Sequence, residues 1–478
     1  MKLTSEVSAC ALASAFISPK SLTANEKTAK DKRPNILFIL SDDHSAPYLG
    51  CYNHPDLKTP NLDSIAADGA RFNRAYTTAP QCVPSRASLM TGRSAVDIRM
   101  TRFTAPLPAD IISFPEILKK AGYYTGLVGR TYHLDGPYYK SEPEVSRRVF
   151  EKHNLRTFAR RVDYIKDGAD KDNVASITEF LDNVPEGRPF FLQLGFSDPH
   201  RPWEAKDYEP NPNSITIPET MPDVPSVRTD LAAYYGEIQR LDGNIGQILE
   251  IIDKRGLKDS TMVVFMGDNG AALIRGKGTL YEYGLNVPLL IRWPGHIKPS
   301  TVCDVLISGE DIAPTFLEAA GVSALKEMTG ISFMNAIRGK PFEGHKYVFA
   351  ERGSHASLLP TDTAAFDLGR CVISKRYKLI YNALWQLPYE PVDMWKNPMW
   401  EDLKRRHDEK TIDPKFSKVL FAEQRPMFEV YDLEKDPYEF NNLAGTSEFA
   451  EVENKLKEAL QEWMILNQDY LPLPIKSR

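Results

Sequence analysis

Three shortages in this 478-residue chain each remove a class of protein. Its five cysteines, Cys10, Cys51, Cys82, Cys303 and Cys371, are scattered without Cys-x-x-Cys spacing. That excludes a zinc knuckle and a dense disulfide framework, and leaves Cys82 expected as an unpaired thiol. Basic residues number 59 against 64 acidic ones, a net charge of -5. Nothing therefore draws the whole molecule to nucleic acid or an anionic membrane, and an anionic ligand has to be held by local groups. Beyond the N-terminus no apolar run is long enough to span a bilayer, and there are no internal repeats or long low-complexity segments.

What is present is a large apolar fraction, 42%, enough for a sizeable core. The length points to a major domain with a smaller one beside it. Lys2, the apolar run 9–17 and Thr23-Ala24, followed by polar residues to 33, read as a signal peptide and linker over 1–33. That placement implies a periplasmic or secreted protein; a cytoplasmic disordered leader is the alternative. The catalytic domain is expected over 34–342 and a C-terminal subdomain over 343–478.

Continuous apolar runs at 36–40 and 261–266 read as strands buried on both faces, as in a parallel sheet between helices. The first ends in Asp42-Asp43 and the second in Asp268-Asn269. Acidic residues beyond the C-terminal ends of such strands lie where open α/β sheets place ligands, although alone they would merely cap turns. Three carboxylates and an amide suit a hard cation, Ca2+ or Mg2+, better than zinc. Strands at 123–128 and 189–197 run into Arg130 with His133, and into His200 between Pro199 and Pro202. Helices are expected from Thr59 to Gly69 with Leu62, Ile65 and Ala66 inward, from Ser113 to Gly122 with Ile117 and Leu118 buried, and over 231–255. Strands at 347–350, 372–381 and 428–433, with a last helix presenting Val452, Leu456, Leu460 and Trp463, predict a small antiparallel sheet covered by a helix.

The segment 81–92 organises the rest. Pro84 suits a first helical turn and Gly92 its end, so Cys82 sits at a helix N-terminus, where anions are readily held. Arg86, one turn on, adds fixed charge. A lone cysteine is usually a small buried thiol. Here Cys82-Val83-Pro84-Ser85-Arg86-Ala87-Ser88-Leu89-Met90-Thr91-Gly92 resembles the signature of type I sulfatases. Glycines 276 and 278 flank Lys277 and are expected to let the backbone approach a ligand.

The resemblance covers the chain from Pro34 onward and implies an alkaline-phosphatase-like α/β/α sandwich. It implies that Cys82 is oxidised to formylglycine by a sulfatase-maturing enzyme, and that one Ca2+ is held by Asp42, Asp43, Asp268, Asn269 and the modified Cys82. It assigns sulfate contacts to Lys277, to Arg130, which stands where the family has lysine, and to His133, displaced by one inserted residue. His200 becomes the acid for the leaving group. Hydrated formylglycine would attack sulfur, with Arg86 and the metal favouring its ionised form, and sulfate would then be expelled to restore the aldehyde.

Within the family, Asp198 to Arg201, Asp230 to Tyr234 and Arg376 to Asn382 look most like the sulfamidases (N-sulfoglucosamine sulfohydrolases). Bacterial sulfatases of algal polysaccharides such as ulvan are also similar. The expected substrate is a sulfated glycan, with specificity in the loops 134–144, 203–227 and 385–400. Two rivals are a phosphodiesterase or phosphonate hydrolase of the same fold, and a sugar-binding protein with unmodified Cys82.

Overall fold

The computed structural model describes residues 33–103, 106–134, 148–149, 151–355, 362–364 and 366–474. The leader, up to residue 32, and the 134–144 loop beyond Leu134 lie outside them. In chain order the strands are β1 (Asn35–Ser41), β2 (Ala70–Phe72), β3 (Ala75–Tyr76), β4 (Tyr124–Gly129), β5 (Tyr164–Asp167), β6 (Phe190–Gly195) and β7 (Thr261–Gly267). After them come β8 (Leu289–Arg292), β9 (Thr301–Cys303), β10 (Ile307–Ser308), β11 (Val348–Arg352), β12 (Gly369–Ile373), β13 (Tyr377–Asn382) and β14 (Phe428–Asp432). Among the described residues, eight build one sheet in the order β5-β4-β6-β1-β7-β8-β2-β9, and four build another, β11-β12-β13-β14.

The central strand explains the layering. β1 is parallel to both neighbours, β6 and β7. Alternate side chains point to opposite faces: Leu37 and Ile39 enter one core, Ile36, Phe38 and Leu40 the other. Helices Pro60–Ala67 and Pro225–Lys254 cover the first face, and Cys82–Thr91, Phe114–Lys120 and Ile312–Ala319 the second. This is the sheet between helices anticipated from the apolar runs, and the α/β/α sandwich that the resemblance implied. Truncating a side chain such as Phe38, fully buried between layers, costs about 3–5 kcal/mol.

Local differences from expectation have local causes. The long helix begins at Pro225, before the periodic apolar positions, because proline at its start fixes a helical φ where no N–H is needed. In Phe114–Lys120, Leu118 is buried but Ile117 is only half-buried; Phe114 and Pro115 take the inward places, and Ser113 and Glu116 form a capping box. The stretch 372–381 is not one strand but the end of β12, a turn and most of β13. Ser374 closes that turn, its N–H donating to the Tyr377 carbonyl at 2.8 Å and its hydroxyl bonding the Tyr377 backbone.

The four-stranded sheet is antiparallel throughout. Val372, Leu379 and Val430 pack under Leu456, Leu460 and Trp463 of the last helix, Ala450–Leu466, with Val452 half-buried beside them. The opposite face, with Cys371, Ile373 and Ile380, packs on Leu280 and Leu285. Residues Met394 to Leu420 take another course: Met399, Trp400, Leu403 and Phe416 join the core beneath the long helix. No described helix is long and apolar enough to cross a membrane.

Candidate active site

Strand register assembles the site. Ser41 of β1 is level with Gly267 of β7, so Asp42-Asp43 and Asp268-Asn269 leave the sheet at the same height. Gly195 of β6 is level with Leu40 and with Gly129 of β4, which brings the His200 loop and Arg130 to the same edge. The helix Cys82–Thr91 meets these strand ends, with Gly92 in the left-handed conformation at its C-terminus. Ser85 pins it by donating to the Asp268 carbonyl while accepting from Thr77.

Asp42 is fully buried. Its Oδ1 accepts from the Cys82 thiol at 3.1 Å, and its Oδ2 meets Arg86 at 3.1 Å, Arg130 at 2.5 Å and His133 at 3.3 Å. Burial would raise its pKa, but Arg130, Arg86 and His133 together hold it well below the carboxylate range. Asp43 carries the opposite balance: burial, with Asp42 adding to it, pushes it up to about 7 against Lys277. Lys277 Nζ lies 2.8 Å from Asp43 and 2.7 Å from Asp393. Asp268 accepts from the N–H groups of Asp43 and Asn269 and from Arg86 Nε at 2.8 Å. The Cys82 thiol is pushed well up by burial and by Asp42, so it stays protonated.

His200 Nδ1 can only donate to the Arg201 carbonyl beside it, which turns Nε2 toward Asp43, 3.7 Å away, and Asp393, 3.6 Å away. Burial, then Lys277 and Arg130, lower its pKa to about 4. All ten positions singled out in the sequence thus meet in one cluster.

The profile of the family described as Sulfatase matches residues 34–322, more than half of the chain. The chain belongs to the sulfatase family. It is a sulfuric ester hydrolase. A second profile, described as the C-terminal region of N-sulphoglucosamine sulphohydrolase, matches residues 274–416 of this sulfatase. An ulvan-active sulfatase of Formosa agariphila is 28% identical over 467 residues, spanning 94% of this chain and 84% of its own. Human N-sulphoglucosamine sulphohydrolase is 27% identical over 472 residues, spanning 90% and 89%. Among solved structures, one in complex with its substrate D-glucosamine-2-N,6-O-disulfate aligns with a TM-score of 0.67 at 20% identity, covering 92% of this chain and 99% of that one. A phosphonate monoester hydrolase of Silicibacter pomeroyi aligns at 0.66 and 20% identity, covering 92% and 96%; at such identity the likeness shows the fold alone.

Three carboxylates and an amide, Asp42, Asp43, Asp268 and Asn269, suit a hard cation. Ligand atoms of Asp42 and Asp43 lie within 4.8 Å of one another and of those of Cys82 and His200. Asn269 Oδ1 is buried without a hydrogen-bond donor among the described residues, while its Nδ2 donates to Asp43 and to the Gly270 carbonyl. A buried acceptor with no donor beside it is where a cation is expected.

Sequence reading missed two neighbours. Asp393 bridges Lys277, His200 and His355, the last at 3.2 Å, and the His355 ring stands edge-on to Phe103. Asp393 has φ 59° and Asp43 φ 63°, left-handed conformations that non-glycine residues adopt mainly where surrounding structure enforces them. Packing makes its own demand on the glycines around Lys277. A Cβ on Gly276 would come 2.2 Å from the Ala271 carbonyl, and one on Gly278, 2.2 Å from Val392. They are required by packing.

Proposed function

We propose that this sulfatase releases sulfate from a sulfated poly- or oligosaccharide, an O-sulfated algal polysaccharide of the ulvan type being the favoured substrate. The observation that carries the reading is the convergence of Arg86, Arg130, Lys277, His133 and His200 on the strand ends around Cys82. The similarity of almost the whole chain to an ulvan-active sulfatase supports the substrate class. Arg130 and Lys277 would neutralise the sulfate oxygens as charge builds in the transition state. His200 presents Nε2 to the leaving group, and the Asp393 carboxylate 3.6 Å from it would stabilise the imidazolium that gives up its proton there and returns to neutral imidazole.

Asp42, Asp43, Asp268 and Asn269 would hold Ca2+, which supplies Lewis-acid activation when bound. Cys82, buried and protonated, is a poor nucleophile as a thiol. Oxidised to formylglycine by a maturing enzyme, it supplies a carbonyl-derived nucleophile that regenerates itself. The leader places the enzyme in the periplasm or outside the cell, which N-terminal sequencing of the exported protein tests.

A second reading, removal of N-sulfate from glucosamine, is favoured by the match of residues 274–416 to a sulfamidase C-terminal region. Sulfate release from O-sulfated ulvan oligosaccharides and N-sulfated heparan fragments, assayed side by side, separates the two. Release from the first set alone is expected; release from the second alone gives the sulfamidase.

A further inference from the structure

Gly278, the residue after Lys277, lines a cavity of about 150 Å3 between the 275–281 turn and strands β13 and β14. The ionisable lining is four basic side chains, Arg275, Arg352, Lys418 and Arg425, against two acidic ones, Asp367 and Glu429. Both acids are already engaged. Arg425 clamps the two oxygens of Asp367 at 2.8 Å each. Glu429 accepts from Asn382 at 2.6 Å, from the Tyr281 hydroxyl at 2.9 Å and from Tyr431.

Among the bases, Arg275 donates to the Tyr438 and Glu439 carbonyls and lies 3.8 Å over the Tyr281 ring. Arg352 is different. It is 1% exposed, donates from Nη2 to the Thr363 carbonyl at 2.9 Å, and has no partner among the described residues for Nε or Nη1. A buried guanidinium with unmade hydrogen bonds is costly unless something answers it. Burial lowers its pKa to about 10 against the pull of Asp367 and Glu351. The missing side chain at Gly278 keeps that flank bare: a Cβ there would stand 3.6 Å from the Arg352 Cζ. Tyr389 accepts from the Arg275 N–H at 2.7 Å and so retains its own hydrogen to donate.

We propose that this cavity binds a small free oxyanion, sulfate or a carboxylate, with Arg352 as the principal donor, Tyr389 as a second and the exposed Lys418 at the rim. The space is roughly ten times the 10–15 Å3 that one water needs, so a polyatomic anion fits together with waters. A charge-assisted bond to the guanidinium would satisfy the donors that the fold leaves over. The site is separate from the Cys82 cluster, and the inference does not depend on which glycan the enzyme attacks.

The test uses crystals of the full chain soaked in selenate or in acetate, with thermal unfolding followed against each anion in solution. The expected result is anomalous density for selenate, or ordered acetate, within hydrogen-bond distance of Arg352. The unfolding midpoint should also climb with each tenfold rise in that anion. Whichever anion is seen names the source, sulfate or carboxylate. Arg352→Gln, which keeps the volume but not the charge, should weaken that anion about tenfold or more while leaving density at the Cys82 cluster unchanged. Should the variant fail to fold, the wild-type maps decide. Waters alone in the cavity at saturating selenate and acetate, or an unfolding response identical in Arg352→Gln, would overturn the proposal.

Discussion

Two sets of buried charge, at the ends of the large sheet and along strand β11 of the small one, are treated in opposite ways. At the ends of β1 and β7 each anion is answered several times over: Asp42 by Cys82, two arginines and a histidine, Asp43 by Lys277 and Asn269. On β11, neither oxygen of Glu351 has a hydrogen-bond partner among the described residues, and Arg370 lies 3.9 Å away; on the opposite face of the same strand Arg352 keeps two nitrogens without a partner among those residues. Density of partners marks the first cluster as machinery in which each group holds another in place. Scarcity marks the two faces of β11 as interiors that tolerate, or await, a countercharge.

The comparison is broken most decisively at Cys82. Cys82→Ala is expected to reduce sulfate release by on the order of 10^3-fold or more with little change in melting temperature. Normal turnover in that variant would remove Cys82 from the chemistry. Lys277→Ala comes next. Removing one member of a buried ion pair leaves Asp43 and Asp393 exposed to each other, so stability should fall by about 3–5 kcal/mol in denaturant titrations. Turnover should fall by on the order of 100-fold. Chelation with EDTA should abolish turnover, Ca2+ should restore it in the wild type, and Asn269→Ala should need far more Ca2+ for the same recovery.

The second cluster yields a smaller effect with a pH signature. Burial raises Glu351 to about 7 despite Arg370, so the folded chain binds a proton that the unfolded chain releases. Stability should therefore fall as pH rises from about 4.5 to 7, by up to about 3 kcal/mol from this group. Glu351→Gln should flatten that slope and be the more stable protein above pH 7; an unchanged slope would show that Glu351 is better compensated than its surroundings indicate. The exposed pair Arg99 and Asp110, 62% and 69% exposed, is the control, and Arg99→Ala should shift stability by less than about 1 kcal/mol.

The same contrast decides what a reader of the sequence can see. Asp42-Asp43 and Asp268-Asn269 each follow an uninterrupted apolar run, and the signature from Cys82 to Gly92 is contiguous, so position along the chain already reports position in the fold. Asp393 and His355 sit in loops without periodicity and reach Lys277 only through tertiary packing. The turn between β12 and β13 was hidden because Ser374-Lys375-Arg376 carries no glycine, proline or asparagine to announce it. The packing demand on Gly278 was hidden as well, because Val392, which a Cβ there would meet, is more than a hundred residues away.

The place of β1 at the centre of the large sheet also sets a timetable. Among the described residues it pairs with β6, which begins at Phe190, and with β7, which begins at Thr261. At roughly 5–20 residues per second of synthesis, its first partner follows on the order of ten seconds later. Throughout that interval one of the most apolar strands of the protein is an open edge. The carboxylate pair that it carries cannot meet the other acidic pair until the chain has been made past Asn269. Until the second half arrives, that open edge is the stretch of the nascent chain expected to be most prone to pairing with another chain.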